Sequence, residues 1–399
     1  MRGRARGRVR QALNVEVVGG SLGGLTAALL LRDLGCSVDV AERSTAELEA
    51  RGAGIVVLDE TSRYLRERTQ IGLDDVTTST TRLRYLDERG DVVFDGPRDY
   101  RYSGWHTIYR ALLDTFGRDR YHVGREVVGF SSDVERVSVD RADRRTDVVD
   151  LLVCADGIGS GSRARLLPEV RPDYAGYIAW RGTVAERDLP AWVLDAFRDA
   201  LVYEVIPASH ILLYPIPAVD GATEPGRRLL NFVWYRNYAG HALDDVMTDI
   251  DGRRREVSLP PGTARPEHVD EVRAYARANL APAIAEVVER ADRPFAQAIL
   301  DIDVRRMAFG RVCLIGDAAF AVRPHIAAGT AKAAADAWAL AEALEGANMD
   351  IDRALRAWEA RQLDVGRAAL ERARRNGNRS QFEGSWTPGD PDLDFGLMA

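Results

Sequence analysis

The sequence predicts an α/β (α+β) chain in which a parallel, Rossmann-like domain is interleaved with a mainly antiparallel β-sheet domain. Three observations carry this. Residues 14–43 read strand, glycine turn, apolar helix, strand, the order that opens a parallel sheet. Residues 126–235 hold successive β-branched and aromatic runs joined by polar turns, as antiparallel strands require. Another short apolar strand, residues 311–316, returns only after that stretch. The parallel sheet must therefore be assembled from separated segments.

The elements follow in order. Val15, Val17 and Val18 form a buried strand, and residues 19–24 (Gly-Gly-Ser-Leu-Gly-Gly) are the turn. Residues 25–34 are apolar nearly all round, a buried helix that Gly35 ends. Residues 37–41 form a second strand with Glu42 at its tip. Residues 127–130, 134–139 and 148–153 read as an antiparallel meander, and 177–184, 201–206, 211–216 and 229–235 as the strands of a larger sheet. Residues 251–266 are loop, and 269–291 have helical spacing. An alanine-rich helix is expected over 329–344 and another helix over 351–373, followed by a polar tail at 376–399 with Trp386 and Phe395 able to tuck down.

Composition narrows the class. The 399 residues are 46% hydrophobic and 29% charged, the make-up of a soluble globular protein. A net charge of −7 argues against a nucleic-acid or anionic-membrane partner. Cys36, Cys154 and Cys313 are widely spaced in apolar runs, so they read as buried thiols of a reducing cytoplasm, without disulfide or metal-ligand spacing. No apolar stretch reaches the ~20 residues of a membrane span. Residues 1–10 read as a disordered basic extension or a mis-assigned start, and Lys332 is the only lysine.

The glycine turn places Gly19, Ser21 and Gly24 at the three positions of a dinucleotide fingerprint, with Leu22 opening the helix. Free N–H groups at that helix start favour a pyrophosphate. Glu42, eighteen residues past Gly24, is placed to accept from a ribose hydroxyl and would repel a 2′-phosphate, so FAD or NAD suits the site better than NADP. Two further motifs go beyond what an NAD site needs. One is Asp156-Gly157 followed by Ser160 and Arg163; the other is Gly316-Asp317-Ala318-Ala319 followed by Pro324, Gly329 and Asp336.

Together these motifs resemble the single-component FAD-dependent aromatic hydroxylases of the p-hydroxybenzoate hydroxylase fold, over nearly the whole chain. The resemblance implies that FAD is held by the glycine turn, by Asp156, Gly157 and Arg163, and by Gly316, Asp317, Pro324, Gly329 and Thr330. Glu42, Arg43, Gly54 (with Gly52 and Ala53) and Arg110 match further FAD-contacting positions. Phe320 stands where the family usually has histidine, and Ala327 where it has glycine. A narrower likeness is to the 2,6-dihydroxypyridine 3-hydroxylases. It rests on residues 17–24, 174–182 and 214–217, on Arg323-Pro324-His325, and on the Gly-Ser-Trp-Thr-Pro-Gly of residues 384–389.

The resemblance implies an FAD-binding domain from residues 11–75, 101–172 and 292–375, and a substrate-binding sheet domain from 76–100 and 173–291. It implies a cytoplasmic homodimer that uses NADH or NADPH and O₂ to hydroxylate a small hydroxylated aromatic ring through a flavin C4a-hydroperoxide. The ring is expected to be a hydroxypyridine; the alternatives are a salicylate-like phenol or a larger polyketide or antibiotic scaffold. No metal is expected.

Such a ring reacts best when a hydroxyl loses its proton, which calls for a base, and histidine fits best. Of six histidines, His241 and His268 read as solvated, His122 as part of a polar connection, and His106 is unplaced. His210 and Tyr214 share one strand face, about 13 Å apart along a straight strand, so a small ring could lie between them. His325 follows the flavin-loop proline. Tyr203 and Trp234 are the expected pocket walls.

Overall fold

The structure, a computed structural model, describes residues 12–48 and 54–397. The basic extension expected over residues 1–10, and Gly52 and Ala53 of the second glycine turn, lie outside the described residues.

Among the described residues, six strands form the first sheet, in the order Ala308–Phe309, Val312–Leu314, Leu151–Cys154, Asn14–Val18, Ser37–Glu42 and Tyr121–Val123. Every neighbouring pair is parallel except the first. Parallel strands covered on both faces become continuous apolar runs, and Leu151, Leu152, Val153 and Cys154 are all buried. Helix Leu22–Asp33 packs against helices Trp105–Phe116 and Gly329–Gly346. Gly23 allows the second approach, since a Cβ there would stand 2.8 Å from that of Ala333. All three cysteines are buried and free.

Residues 148–153, expected as one strand, are two. Thr146–Val149 completes a three-stranded antiparallel sheet with Val127–Ser132 and Val137–Arg141, whereas Leu151–Cys154 joins the parallel sheet beside Asn14–Val18. Asp150 marks the transfer: its carboxylate accepts from the Asn14 N–H at 2.8 Å and pairs with Arg136 at 3.0 Å. An apolar run does not reveal where a strand changes partner.

Among the described residues the second sheet has eight strands: Phe295–Asp301, Asp173–Ala185, Leu229–Asn237, Ser209–Ile216, Ala200–Ile206, Thr78–Leu86, Val92–Gly104 and Gly54–Val56. Its strands pair antiparallel except where Ala200–Ile206 runs parallel to Thr78–Leu86. Side chains alternate between its faces. Ile178, Trp180, Ile211, Leu213, Phe232 and Trp234 belong to a core shared with helices Pro266–Asn279 and Pro282–Arg290. Those helices were expected as one over 269–291; Pro282 opens the second because a proline has no N–H to continue the first. Tyr177, Tyr203, Leu212, Tyr214 and Tyr235 point to the other face and pack with Trp386.

The C-terminal segment is more ordered than a polar tail. Helix Ile351–Asn378 passes directly into a π-helical turn, Arg379–Glu383. The chain then crosses the aromatic face of the second sheet. Trp386 donates to the Tyr85 hydroxyl at 3.2 Å, and Phe395 packs on Tyr100. Gly396 N–H donates to the Ile326 carbonyl at 3.0 Å, tying this segment to the 324–326 turn.

Candidate active site

Three turns at the ends of the parallel strands form the first half of the site. Gly19 follows Val18 with φ +97°, and a Cβ on it would stand 2.5 Å from the Ala155 carbonyl oxygen. A Cβ on Gly24 would stand 1.9 Å from the Gly19 carbonyl oxygen. The turn is therefore closed to side chains, and Ser21 caps helix Leu22–Asp33 without a side-chain bond, leaving first-turn N–H groups for an anion. Glu42 is buried and braces this turn, accepting from Gly20 N–H at 3.0 Å and Ser44 N–H at 2.8 Å. Arg43 beside it is exposed, and Arg110 is half-buried on helix Trp105–Phe116.

The second turn follows Leu151–Cys154. Asp156 accepts from Ser160 Oγ at 2.6 Å and from Ser162 N–H at 3.0 Å, while Ser160 caps the next helix through Arg163 N–H at 2.8 Å. Gly157 has φ +76°, a backbone conformation that suits glycine. Arg163 is buried and donates to the carbonyls of Ile158 at 2.5 Å and Ala318 at 3.2 Å. Asp156, Ser160 and Arg163 thus form a strut between the second and third turns; the Arg163 Nη atoms make these bonds, while its buried Nε has no partner among the described residues.

The third turn, Gly316–Ala318, is held by Asp336, which accepts from Gly316 N–H at 2.7 Å and from Lys332 Nζ at 2.6 Å. Lys332 is buried and its ammonium also lies 4.9 Å from the Phe320 ring centroid, so Phe320 belongs to the packing beneath the turn. Asp317 is half-buried, and its carboxylate accepts no hydrogen bond among the described residues. Burial pushes its pKa up to about 6, opposed by the charges of Lys332 and Arg163. Pro324 starts the turn that carries His325; Gly329 starts helix Gly329–Gly346, where Thr330 Oγ1 lies 3.0 Å from that of Thr61. Gly54 donates to Asn231 Oδ1 at 2.9 Å and accepts from Arg181 at 2.8 Å.

These residues fit FAD. A side-chain-free turn at a helix start suits the pyrophosphate, and the unbonded Asp317 carboxylate suits hydroxyl donors.

The second half is aromatic. His210 is 1% exposed and its ring stacks on Trp386 at 4.7 Å, with Tyr235 at 4.7 Å and His325 at 5.2 Å. Tyr203 lies 6.0 Å away and stacks on Tyr85 at 5.1 Å. His210 Nδ1 lies 2.9 Å from Ser380 Oγ. His325 is 3% exposed; its Nε2 lies 2.7 Å from the Tyr177 hydroxyl, and its buried Nδ1 has no partner. Burial pushes the His210 pKa down to about 3 and that of His325 well below its ordinary value, the second aided by His210 and Arg323. Both imidazoles are therefore neutral at pH 7.

Tyr214 shares the strand face of Leu212 and stacks on Tyr102 at 4.6 Å, while His325 and Trp386 pack directly against His210. One expectation needs correction. Trp234 is no wall of this pocket. It turns to the opposite face, donating to Ser209 Oγ at 3.0 Å and packing on Tyr275, and its neighbour Tyr235 takes its place. Of the other histidines, His122 bonds Asp39 at 2.8 Å, His268 bonds Arg265 at 2.7 Å, His241 is exposed, and His106 sits half-buried in the first turn of helix Trp105–Phe116.

Tyr177, Tyr235, Ser380 and Trp386 were not singled out for this site from sequence. Strand parity with Tyr203 and His210 points to the two tyrosines. Gly377 offers a signal for the tail: a Cβ on it would stand 2.4 Å from the Tyr177 hydroxyl and 2.8 Å from His325 Cδ2.

A family model described as FAD binding domain-like matches residues 174–301. A 2,6-dihydroxypyridine 3-monooxygenase of Paenarthrobacter nicotinovorans is 40% identical over 96% of this chain and 95% of its own. An FAD-dependent urate hydroxylase of Klebsiella pneumoniae is 27% identical over 93% of this chain and 92% of its own. The solved 2,6-dihydroxypyridine-3-hydroxylase of Arthrobacter nicotinovorans superposes with a TM-score of 0.91 at 38% identity, covering 97% of each chain.

Proposed function

This chain belongs to the FAD-dependent aromatic hydroxylases, and on that premise we propose that it hydroxylates a hydroxypyridine of the 2,6-dihydroxypyridine class. The observation that carries this reading is the pair of buried, neutral imidazoles, His210 and His325, packed among aromatic rings between the second sheet and the 324–326 turn. The name and 40% identity of the Paenarthrobacter relative support the ring class.

Bound FAD, once reduced, supplies the activation of O₂. The chain's own residues hold and prepare the ring. Ser380 Oγ lies 3.4 Å from the Gly377 carbonyl, to which it donates, and accepts from Gln381 Nε2 at 3.0 Å. With the His210 proton on Nδ1, Ser380 Oγ accepts it at 2.9 Å, Gln381 Nε2, 3.4 Å from the same Nδ1, donates to Ser380 instead, and the lone pair of His210 Nε2 remains to take a ring hydroxyl proton. Loss of that proton makes the ring electron-rich at the carbon that receives oxygen. Trp386, Tyr203 and Tyr235 supply flat apolar surface and exclude water. Asp317, Gly316 and the helix start at Gly329 hold the flavin side, and Tyr214 and Gly54 meet through Asn231 at its edge.

NADH or NADPH is the proposed electron donor, binding without a nucleotide domain of its own. The protein acts as a cytoplasmic homodimer in this reading, and the three buried thiols accord with a reducing compartment. The test is a panel of hydroxypyridines and salicylates scored for ligand-stimulated NAD(P)H consumption and hydroxylated product. The reading expects 2,6-dihydroxypyridine to give the highest kcat/KM. Preference for a salicylate, or consumption without product from every hydroxypyridine, would sink it.

A further inference from the structure

His325 Nδ1 is buried and has no hydrogen-bond partner among the described residues, and the His325 ring packs against those of His210, Tyr235 and Trp386. A buried polar atom left unbonded costs about 1–3 kcal/mol, so its chemical form matters. Which form it takes is decided on the far side of the ring.

His325 Nε2 lies 2.7 Å from the Tyr177 hydroxyl. Tyr177 is buried at 0% exposure, and no other acceptor stands within bonding distance of its hydroxyl among the described residues. Burial pushes the phenol pKa up, so it keeps its proton. Arg323 stands beside the same phenol, 5.7 Å from its ring centroid, and its positive charge opposes the upward shift of the phenol pKa. A guanidinium only donates, so the phenol proton has one destination, His325 Nε2. Arg323 cannot swing away, because Asp301 grips it in a fork at 2.9–3.1 Å and Asn378 Oδ1 accepts from it at 2.9 Å. Asp301 is itself buried and also bound by Arg374 at 2.9 Å.

We infer that Tyr177 is a positioning residue that holds His325 as the Nδ1–H tautomer, a neutral donor aimed at an oxygen of the substrate ring. The inference rests on the proposed substrate site and deepens it. His210 takes a proton from one ring oxygen while His325 donates to another acceptor. The pocket then selects rings that carry both a hydroxyl and an acceptor oxygen. A ring with a single hydroxyl satisfies His210 and leaves the His325 N–H unbonded.

The test uses the FAD-loaded protein labelled with ¹⁵N-histidine, the His325 resonances being assigned by their loss in His325→Gln. In the unliganded protein the proton is expected on Nδ1 of His325. Tyr177→Phe keeps the ring but removes the phenol proton; it should shift His325 toward the Nε2–H form. It should raise KM for 2,6-dihydroxypyridine about tenfold, the loss of one hydrogen bond, and change KM for a monohydroxypyridine less than twofold. Retained flavin and an unchanged melting midpoint certify folding; if Tyr177→Phe loses either, Arg323→Lys tests the same tautomer. An Nε2 proton in the wild-type protein, or a tautomer unmoved by Tyr177→Phe, overturns the inference while the site stands. An unchanged KM in His325→Gln removes both the site reading and the inference.

Discussion

The two halves of the site are built by opposite means. At the parallel-sheet end, function is written in backbone: Gly19, Gly24 and Gly316 hold conformations or approaches that side chains would block. Across the second sheet it is written in side chains delivered from far apart, with His210 on a strand, His325 on a turn and Trp386 on the C-terminal segment. At Gly19, Gly24 and Gly316 the first half has no room for an added methyl. The second is held by packing and by a few directed hydrogen bonds, so its failures should be graded and should spare the flavin.

The largest effect should come from the backbone half. Gly24→Ala puts a methyl 1.9 Å from the Gly19 carbonyl oxygen. Displacing that turn is an overpacking cost of about 3 kcal/mol, or about 100-fold in flavin retention. Flavin absorbance after gel filtration checks it, and full retention would break the contrast. His210→Ala should act on the other half alone, lowering turnover about 100-fold with flavin content unchanged. Unaltered turnover would take His210 out of the proton transfer.

Acid should also separate the halves. The His210 pKa is near 3 when folded, pushed down by burial, and His325 is lowered too. The unfolded chain, with histidine near 6.5, therefore binds more protons than the folded one between about pH 3 and 6.5. Stability rises with pH in that window and is lost on acidification, by about 2 kcal/mol for His210 from pH 7 to pH 5, with His325 acting in the same direction. Melting midpoints of the wild type and of His210→Phe check this; the variant should lose less. The smallest expected effect concerns Ala327, which has φ +54° where a glycine is expected. Ala327→Gly relieves that strain but frees the unfolded chain, so a net stabilisation under about 1 kcal/mol should appear in denaturant unfolding. A clear loss of stability would show that the Ala327 methyl packs against this loop to a degree that outweighs the strain.

The same contrast explains what could be read from the chain. Gly19, Glu42, Asp156 and Asp317 stand in short contiguous motifs because a backbone turn is local. The transfer of residues 148–153 between sheets was hidden, since residues 148–149 and 151–153 are all apolar and only Asp150 interrupts them. The aromatic half was partly hidden for a different reason. Parity along Leu229–Asn237 separates Trp234 from Tyr235 but does not say which face meets the flavin turn. His210 was visible as a candidate base; its partners Ser380 and Trp386 lie 170 or more positions away, in a segment whose composition resembles a surface tail.

The central claim is ring oxygenation at the His210–His325 pocket. The most direct measurement is turnover of 2,6-dihydroxypyridine under ¹⁸O₂ by the FAD-loaded protein with NADH or NADPH, the product read by mass spectrometry for the wild type and for His210→Ala. The account predicts one ¹⁸O on the ring in the wild type and a large loss of that product in the flavin-replete variant. Pyridine-nucleotide oxidation that yields no labelled ring product, or equal labelled product from both proteins, would contradict it.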